Sequence, residues 1–294
     1  PPSREAEKDK PASPPSKQWL RLWTEAKPAA RTLVESWLGA RGLDVALHGQ
    51  ALARLRFHPN ALAAAGKDER GKWWRVHAPA MVGALVDKVG FVCGVHCTYL
   101  AGDGLSKAAL AMPEGELVAA RKMWGAGAGV CSPLSDLRAA SPEQEAGPLV
   151  VGEGFETVLS FIEPWLRDGK PVRAAATLTL GNLQGGYVRD ANGRATRPPL
   201  ADLSRPPWLL KEPGHVLALI DRDMSPLKLR RHAHFGADEM AEMDTQERAW
   251  FCAALTTQHW RAAGALSVTP VQPRTLGDDF NDALKRRPLD TTPT

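Results

Sequence analysis

The sequence predicts an α/β fold: a parallel sheet flanked by helices, preceded by a smaller α+β subdomain. Three observations predict it. Three short apolar runs lie in the second half, at Leu149–Val151, Val216–Ile220 and Ala265–Val271, and each has the length and composition of a buried parallel strand. Helical stretches alternate with these runs, over Phe155–Arg167 and about Ala237–Ala263, which implies right-handed crossovers in one sheet. The first half instead carries β-rich segments around Phe57, Trp74, Met81–Val86 and Phe91–Tyr99, punctuated by Gly71 and Gly90.

The elements follow in order. Pro1–Ser16 is charged, proline-rich and poor in apolar residues, the composition of a disordered leader. Lys17–Gly42 is helical with a break around Pro28, and Trp19, Trp23 and Trp37 share its apolar side. A helix is expected over Glu114–Trp124, closed by the glycines of Gly125–Gly129, and Ser141–Pro148 reads as a link. These bounds give an amino-terminal subdomain at 17–140, a second domain at 149–287 and a disordered tail at 288–294. Within the second domain, Val172–Leu178 is a further strand. The stretch Gly181–Gly214 is too long for an ordinary connection and reads as a mobile or functional insert. A second insert follows Met224 and carries Lys228, Arg230, Arg231, His232 and His234.

The chemistry lies in three acidic clusters in fixed order: Gly152-Glu153-Gly154-Phe155-Glu156-Thr157, Asp221-Arg222-Asp223 and Gly277-Asp278-Asp279-Phe280-Asn281-Asp282. Each follows or neighbours an apolar run, so the carboxylates sit where strands end, the edge at which open α/β sheets bind ligands. A hard ion such as Mg2+ takes oxygen ligands and keeps several waters, so a few carboxylates plus substrate phosphates complete its shell. Strand alternation sends Asp221 and Asp223 to one side if the chain stays extended. Glu153, in a glycine-flanked turn, suits a ligand or a general acid/base. Glu156 and Asp282 also fit first-turn helix charges.

These segments, with Val150-Val151 before the first and Ala283-Leu284 after the last, resemble the Toprim domain shared by bacterial primases, type IA and II topoisomerases and some nucleases. The closing Asp279-Phe280-Asn281-Asp282 with Leu284 is most similar to the Toprim primases of plasmids and phages. In the first half, Trp74–Met81, Gly90–Leu100, Asp103–Ala108, Arg121–Gly125 and Arg54–Pro59 resemble the primase core that precedes Toprim, so the resemblance spans about residues 27 to 286. It implies a Toprim-type parallel sheet and a primase-like nucleotidyltransferase that makes short RNA primers on single-stranded DNA by two-metal phosphoryl transfer. Glu153 is then the acid/base glutamate, Asp221 and Asp223 are metal ligands with Glu153, and Asp279 and Asp282 are further ligands or supporting groups that Asn281 orients. The cofactor is Mg2+, with Mn2+ an alternative. Lys107, Arg121 and Lys122 would contact the template or the nucleoside triphosphate, as would Arg75. Cys97 stands where many relatives place an arginine, which removes a planar cation suited to phosphate.

Two alternatives share these residues: a Toprim nuclease that directs water at a phosphodiester, and a non-catalytic single-stranded-DNA-binding protein of a mobile element. The formal net charge of +4 favours contact with a polyanion. Trp73 and Trp74 are adjacent in a β-like run, so one faces outward, where it can stack on a base. Cys93, Cys97, Cys131 and Cys252 lack paired Cys-x2-Cys spacing, so no structural zinc is expected. A primase of this kind would then lack a zinc-ribbon module here or have it supplied by another protein, and a replicative helicase is a candidate partner. No apolar run spans a membrane and no secretory signal is visible, so a cytoplasmic protein is expected. Gly181-Asn182-Leu183-Gln184-Gly185-Gly186 reads first as a turn and second as a backbone N–H cradle for phosphate, with no lysine to make it a P-loop.

Overall fold

A computed structural model describes residues 17–138, 147–224, 227–228, 241–275 and 277–286. The expected leader, the tail, most of the link and the side chains of the Lys228–His234 basic segment lie outside the described residues.

The first half contains α1 (Gln18–Glu25), β1 (Lys27–Pro28), α2 (Leu33–Ala40), α3 (Gly49–Arg54), β2 (Leu55–Lys67), β3 (Trp73–Val86), β4 (Val92–Tyr99), β5 (Leu110–Ala111), β6 (Leu117–Val118), β7 (Arg121–Gly125) and β8 (Ser132–Pro133). The helical stretch breaks at Pro28, as the missing N–H requires. Thr32 restarts it, its side chain accepting from the Val34 N–H at 3.2 Å. Strands β1-β2-β3-β4-β7 form one sheet, antiparallel throughout. One face of it carries α1, with Leu22, Ala80, Val82, Val95, Cys97 and Tyr99 in a shared cluster.

The expected helix over Glu114–Trp124 is not formed. Gly115 turns the β5–β6 hairpin with φ +88°, and Arg121–Gly125 pairs with Gly94–Thr98 at the open edge of β4. Helix propensity is a weak prior against an unpaired sheet edge.

The second half contains β9 (Leu149–Gly152), α4 (Phe155–Arg167), β10 (Arg173–Ala176), α5 (Leu180–Gln184), β11 (Gly186–Tyr187), β12 (Ala201–Asp202), β13 (His215–Leu219), β14 (Leu227–Lys228), β15 (Ala241–Met243), α6 (Thr245–Ala262), β16 (Ser267–Val271) and α7 (Phe280–Lys285). Helix α6 starts at a capping box in which Asp244 and Glu247 satisfy each other's backbone N–H. The sheet order is β16-β13-β9-β10-β8. Four strands are parallel, but β8, donated by the first half, joins β10 antiparallel. The sheet is therefore mixed rather than purely parallel. The α4 side buries Val150, Ala174, Ala176 and Leu219, and the α6 side buries Leu149, Val151, Ala175, Val216 and Ala218, so both faces are covered as parallel strands demand.

The first cluster also takes Trp37, Leu38, Leu55, Met81 and Leu100 from the amino-terminal half, joining them to Phe155, Ile162 and Phe280. The two halves thus share apolar core. The stretch 181–214 is built rather than irregular: its first residues are α5, not a turn, and the β11–β12 hairpin packs Tyr187 and Ala201 on Phe251 and Leu255. Among the described residues no helix is long and apolar enough to cross a membrane.

Candidate functional site

The sheet order places a topological switch between β9 and β13. The chain leaves β9 toward β10 on one side and returns to β13 on the other, and ligands bind at such switch points, beyond the carboxyl ends of the strands. A cavity of about 310 Å3 opens there, lined by Glu153, Glu156, Thr157, Asp221, Asp223 and Asp279 from the second half and by Arg41, His96, Lys107 and Arg121 from the first.

Each acid has a local reason for its place. Glu153 follows the last residue of β9, and Gly154 caps α4, whose first residues Phe155, Glu156 and Thr157 line the cavity. The loop after β10 folds back on this turn: Thr177 and Leu178 donate their N–H groups to Gly152 and Glu153, at 2.8 and 2.7 Å. Leu178 does so in the left-handed region, φ +66°, a conformation that costs a non-glycine residue about 1–3 kcal/mol. Strand β13 ends at Leu219, two residues before Asp221, yet Asp221 and Asp223 both reach the cavity. The segment stays ordered because Arg222 exchanges backbone hydrogen bonds with Asp278 and Gly277, both 3.1 Å. The Arg222 side chain, pointing elsewhere, donates to the Arg274 carbonyl at 3.0 Å.

The third cluster divides. Asp279 caps α7, accepting from the Asp282 N–H at 2.7 Å, and lines the cavity. Asp282, in the first turn of α7, is not among the lining residues. Asp278 turns away into a bidentate pair with Arg286. Asn281 does not orient the aspartates as the resemblance implied. It is fully buried and donates to the Arg41 carbonyl at 2.6 Å and to Ser160 Oγ at 3.1 Å, tying α7 to the end of α2.

The carboxylates perturb one another. Burial raises Asp221 from its ordinary 3.8 to about 7, with Asp223, Asp279 and Glu153 adding to the rise. Glu153 is also raised, by burial first, with Asp223 adding and Arg121 and Arg248 opposing. Asp223 is raised by burial, and Asp279 and Asp282 reinforce it. Thr157 donates to Asp221 Oδ2 at 3.3 Å, while Asp221 Oδ1 is buried without a hydrogen-bond partner. Repelling carboxylates with an unpaired buried oxygen suit a cation. Among the described residues no three His, Cys, Asp or Glu side chains cage a metal; oxygen-only donors of this kind suit a hard ion that takes one or two carboxylates and completes its shell with water and phosphate.

The cations come from the first half. The chain reverses tightly after Tyr99, with Leu100 bridged to Lys107, and Gly104 at φ +72° lets that turn approach Leu33 and Ser36 of α2. Lys107 is pushed down by burial, then by Arg121. Arg121 pairs with Glu156 at 2.8 Å. Burial pushes the Glu156 carboxyl up, but Arg121, its own backbone N–H and Lys107 outweigh burial and hold it below the ordinary value.

Lys122 and Arg75 are not brought to this cavity. Adjacent residues of a strand face opposite ways, so Lys122 lies on the α1 face opposite Cys97, donates to the Ala63 carbonyl at 3.1 Å and sits 3.9 Å from the Trp124 ring centroid. Arg75 lies in a separate groove of about 800 Å3 beside α1, with Arg21, His58, Trp73 and His77. Trp73 there is the exposed member of the tryptophan pair. Cys97 is buried in the α1-side cluster, so its side chain faces away from the cavity. Cys131 and Cys252 are also buried and Cys93 half-buried, all four as free thiols.

Arg41, His96, Thr157 and Leu178 escaped the sequence reading. Thr157 and His96 lie inside quoted motifs, at positions where strand and helix periodicity assign a face. Arg41 has no such signal, because only the fold brings the end of α2 to the sheet edge.

Residues 14–131 match the model of a family described as a domain of unknown function, DUF7146. No curated protein matches the chain. Among solved structures, the chain is similar to a DnaG primase catalytic domain bound to ssDNA, at 12% identity over 89% of this chain and 71% of that one, with a TM-score of 0.43. It is similar to a DNA primase domain from Pseudomonas aeruginosa, at 13% identity over 92% and 75%, with a TM-score of 0.45. The primase fragment of the Bacteriophage T7 primase-helicase protein is similar at 11% identity over 83% and 67%, with a TM-score of 0.34. These likenesses carry no residue role into this chain.

Proposed function

We propose that the chain is a Mg2+-dependent nucleotidyltransferase of the primase type, which joins ribonucleotides on a single-stranded DNA template. The observation that carries this reading is the meeting of two charge sets in one cavity: Glu153, Asp221, Asp223 and Asp279 from the second half, and Arg41, Lys107 and Arg121 from the first, with Glu156 already paired to Arg121. A metal–triphosphate complex presents a cation to the first set and phosphate oxygens to the second. Carboxylates alone would repel a phosphate.

Asp221 and Asp223 would be the direct ligands, with Asp279 beside them in the cavity lining. When bound, Mg2+ supplies charge neutralisation on the phosphoryl oxygens. Lys107 and Arg41 bind and orient the phosphate chain, and the N–H groups that open α4 add a preorganised positive end. Glu153, whose affinity for a proton is raised by burial, would take the proton from the attacking 3′-hydroxyl as its oxygen bonds to the α-phosphorus and pyrophosphate leaves. Arg121, which lines the cavity, would divide its guanidinium donors between Glu156 and a phosphate oxygen.

The deciding experiment offers labelled ribonucleotides and single-stranded DNA of mixed sequence, with Mg2+ or Mn2+, to the wild type and to the Asp221→Asn/Asp223→Asn double variant. Metal-dependent oligonucleotides lost in the variant are expected. Cleavage of the DNA in place of synthesis, equally lost in the variant, assigns the site to a nuclease. Neither activity, with no metal binding by calorimetry, overturns the proposal.

A further inference from the structure

We infer that His96 reads the sugar of the bound nucleotide, through a hydrogen bond between its imidazole and a ribose hydroxyl; this rests on the nucleotide reading above. His96 stands in the middle of β4, is 5% exposed and lines the cavity with Arg121 and Glu156. Its Nδ1 is buried and has no hydrogen-bond partner. Buried polar atoms without partners are uncommon and costly, and this one belongs to a ring that lines the cavity.

The seat of the ring is built. Gly83 is the cross-strand partner of His96 on β3 and Met123 its partner on β7. Phe155, the first residue of α4, meets it edge-on with centroids 5.4 Å apart and planes at 71°. A Cβ at position 83 would come within 2.6 Å of Phe155 Cζ and 2.7 Å of Ser132 Oγ. Glycine there is what admits the phenyl ring that holds His96. Two residues on, Thr98 is fully buried, and its Oγ1 also lacks a partner.

The chemistry of the neighbours selects the ligand group. The polar walls of the cavity are otherwise chiefly ionic: carboxylates for a cation, and arginine and lysine for phosphate. The imidazole is neutral, because burial and then Arg121 push its pKa down to about 4 against the pull of Glu156. A neutral ring nitrogen complements a neutral hydroxyl, and the hydroxyl-bearing part of a nucleotide nearest its phosphates is the sugar. A base would call for an aromatic face to stack on. Among the described residues Phe155 is the only phenyl, tyrosyl or indole ring lining the cavity, and His96 already meets it.

The test is equilibrium binding of Mg2+–ATP, Mg2+–2′-deoxy-ATP and Mg2+–3′-deoxy-ATP to the wild type, His96→Phe and His96→Gln, without template. One neutral hydrogen bond gives a preference of roughly tenfold, so the wild type should bind ATP about that much more tightly than one of the deoxy forms, which identifies the hydroxyl. His96→Phe should lose the preference by weakening ATP alone, and His96→Gln should keep part of it through its amide. A wild type with no preference, or a preference unchanged in both variants, overturns the inference and leaves the nucleotide reading standing. Failure of all three nucleotides to bind the wild type overturns both. If a thermal melt shows a variant unfolded, the wild-type ratios and the other variant decide.

Discussion

Arg121 and Glu156 form a 2.8 Å ion pair that joins β7 of the first half to the opening turn of α4 in the second. Glu156 is buried, whereas Arg121 is close to half exposed. Removing Arg121 leaves a buried carboxylate uncompensated, a larger loss than removing both partners. Solvent at the arginine moderates the effect, so Arg121→Ala should cost about 1–3 kcal/mol in urea unfolding. Arg121→Ala/Glu156→Gln should recover most of it. Because the Glu156 carboxyl is held below its ordinary value, the pair's contribution is present above pH 4.5 and is lost as pH falls through the lowered value.

Asp221 predicts the opposite pH dependence. Its carboxyl is raised from 3.8 to about 7, so the metal-free folded protein holds a proton that the unfolded chain releases. The relative stability this gives is fully present below 3.8 and lost as pH rises through about 7. Asp221→Asn should therefore stabilise the metal-free protein, most at pH 8 and little at pH 4, by an amount on the order of 2–4 kcal/mol, read as a raised Tm. Added Mg2+ should stabilise the wild type and not the variant. A Tm gain that did not depend on pH would reject the electrostatic cause.

His96 sets an acid limit. With a folded pKa of about 4 against 6.5 in an unfolded chain, stability falls as pH drops from 6.5 toward 4, by about 3 kcal/mol in total. His96→Phe should flatten that part of the stability profile, which unfolding by urea at pH 7, 5.5 and 4.5 would show.

Gly83→Ala should disturb the seat of Phe155, since the added carbon meets Phe155 Cζ at 2.6 Å and Ser132 Oγ at 2.7 Å. Overpacking of this kind costs about 1–3 kcal/mol. Gly83→Ala/Phe155→Leu should recover part of the loss if the clash with the ring is its source; the same Tm for the single and double variants would place the strain elsewhere.

Lys107 and Lys122 should separate in binding. Lys107→Ala removes a cavity cation and should weaken Mg2+–ATP by roughly tenfold, the scale of a charge-assisted contact. Lys122→Ala acts on the α1 face, where it loses the Ala63 hydrogen bond and the Trp124 contact. It should lower the Tm and leave nucleotide affinity unchanged. Calorimetry on both variants distinguishes the two.

What the sequence alone determined is the acidic edge. Glu153, Asp221 and Asp223 were legible because each stands just beyond an apolar run, and Asp279 because its cluster follows the next run; parallel strands bring their carboxyl ends to one edge whatever the rest of the chain does. The helix at Phe155–Arg167 was legible for the same local reason, its apolar periodicity. The tertiary structure decided the rest. Arg121 and Lys122 part company because an open sheet edge captured a segment whose local pattern favoured a helix. Asn281 turned from the aspartates to the Arg41 carbonyl, 240 positions away, and that bond ties the end of α2, and with it Arg41, to the helix that Asp279 caps. Local pattern fixes where a strand ends and which way alternate residues point. It carries no information about which distant surface closes over that end, because that contact is chosen by apolar burial and charge pairing across the whole fold.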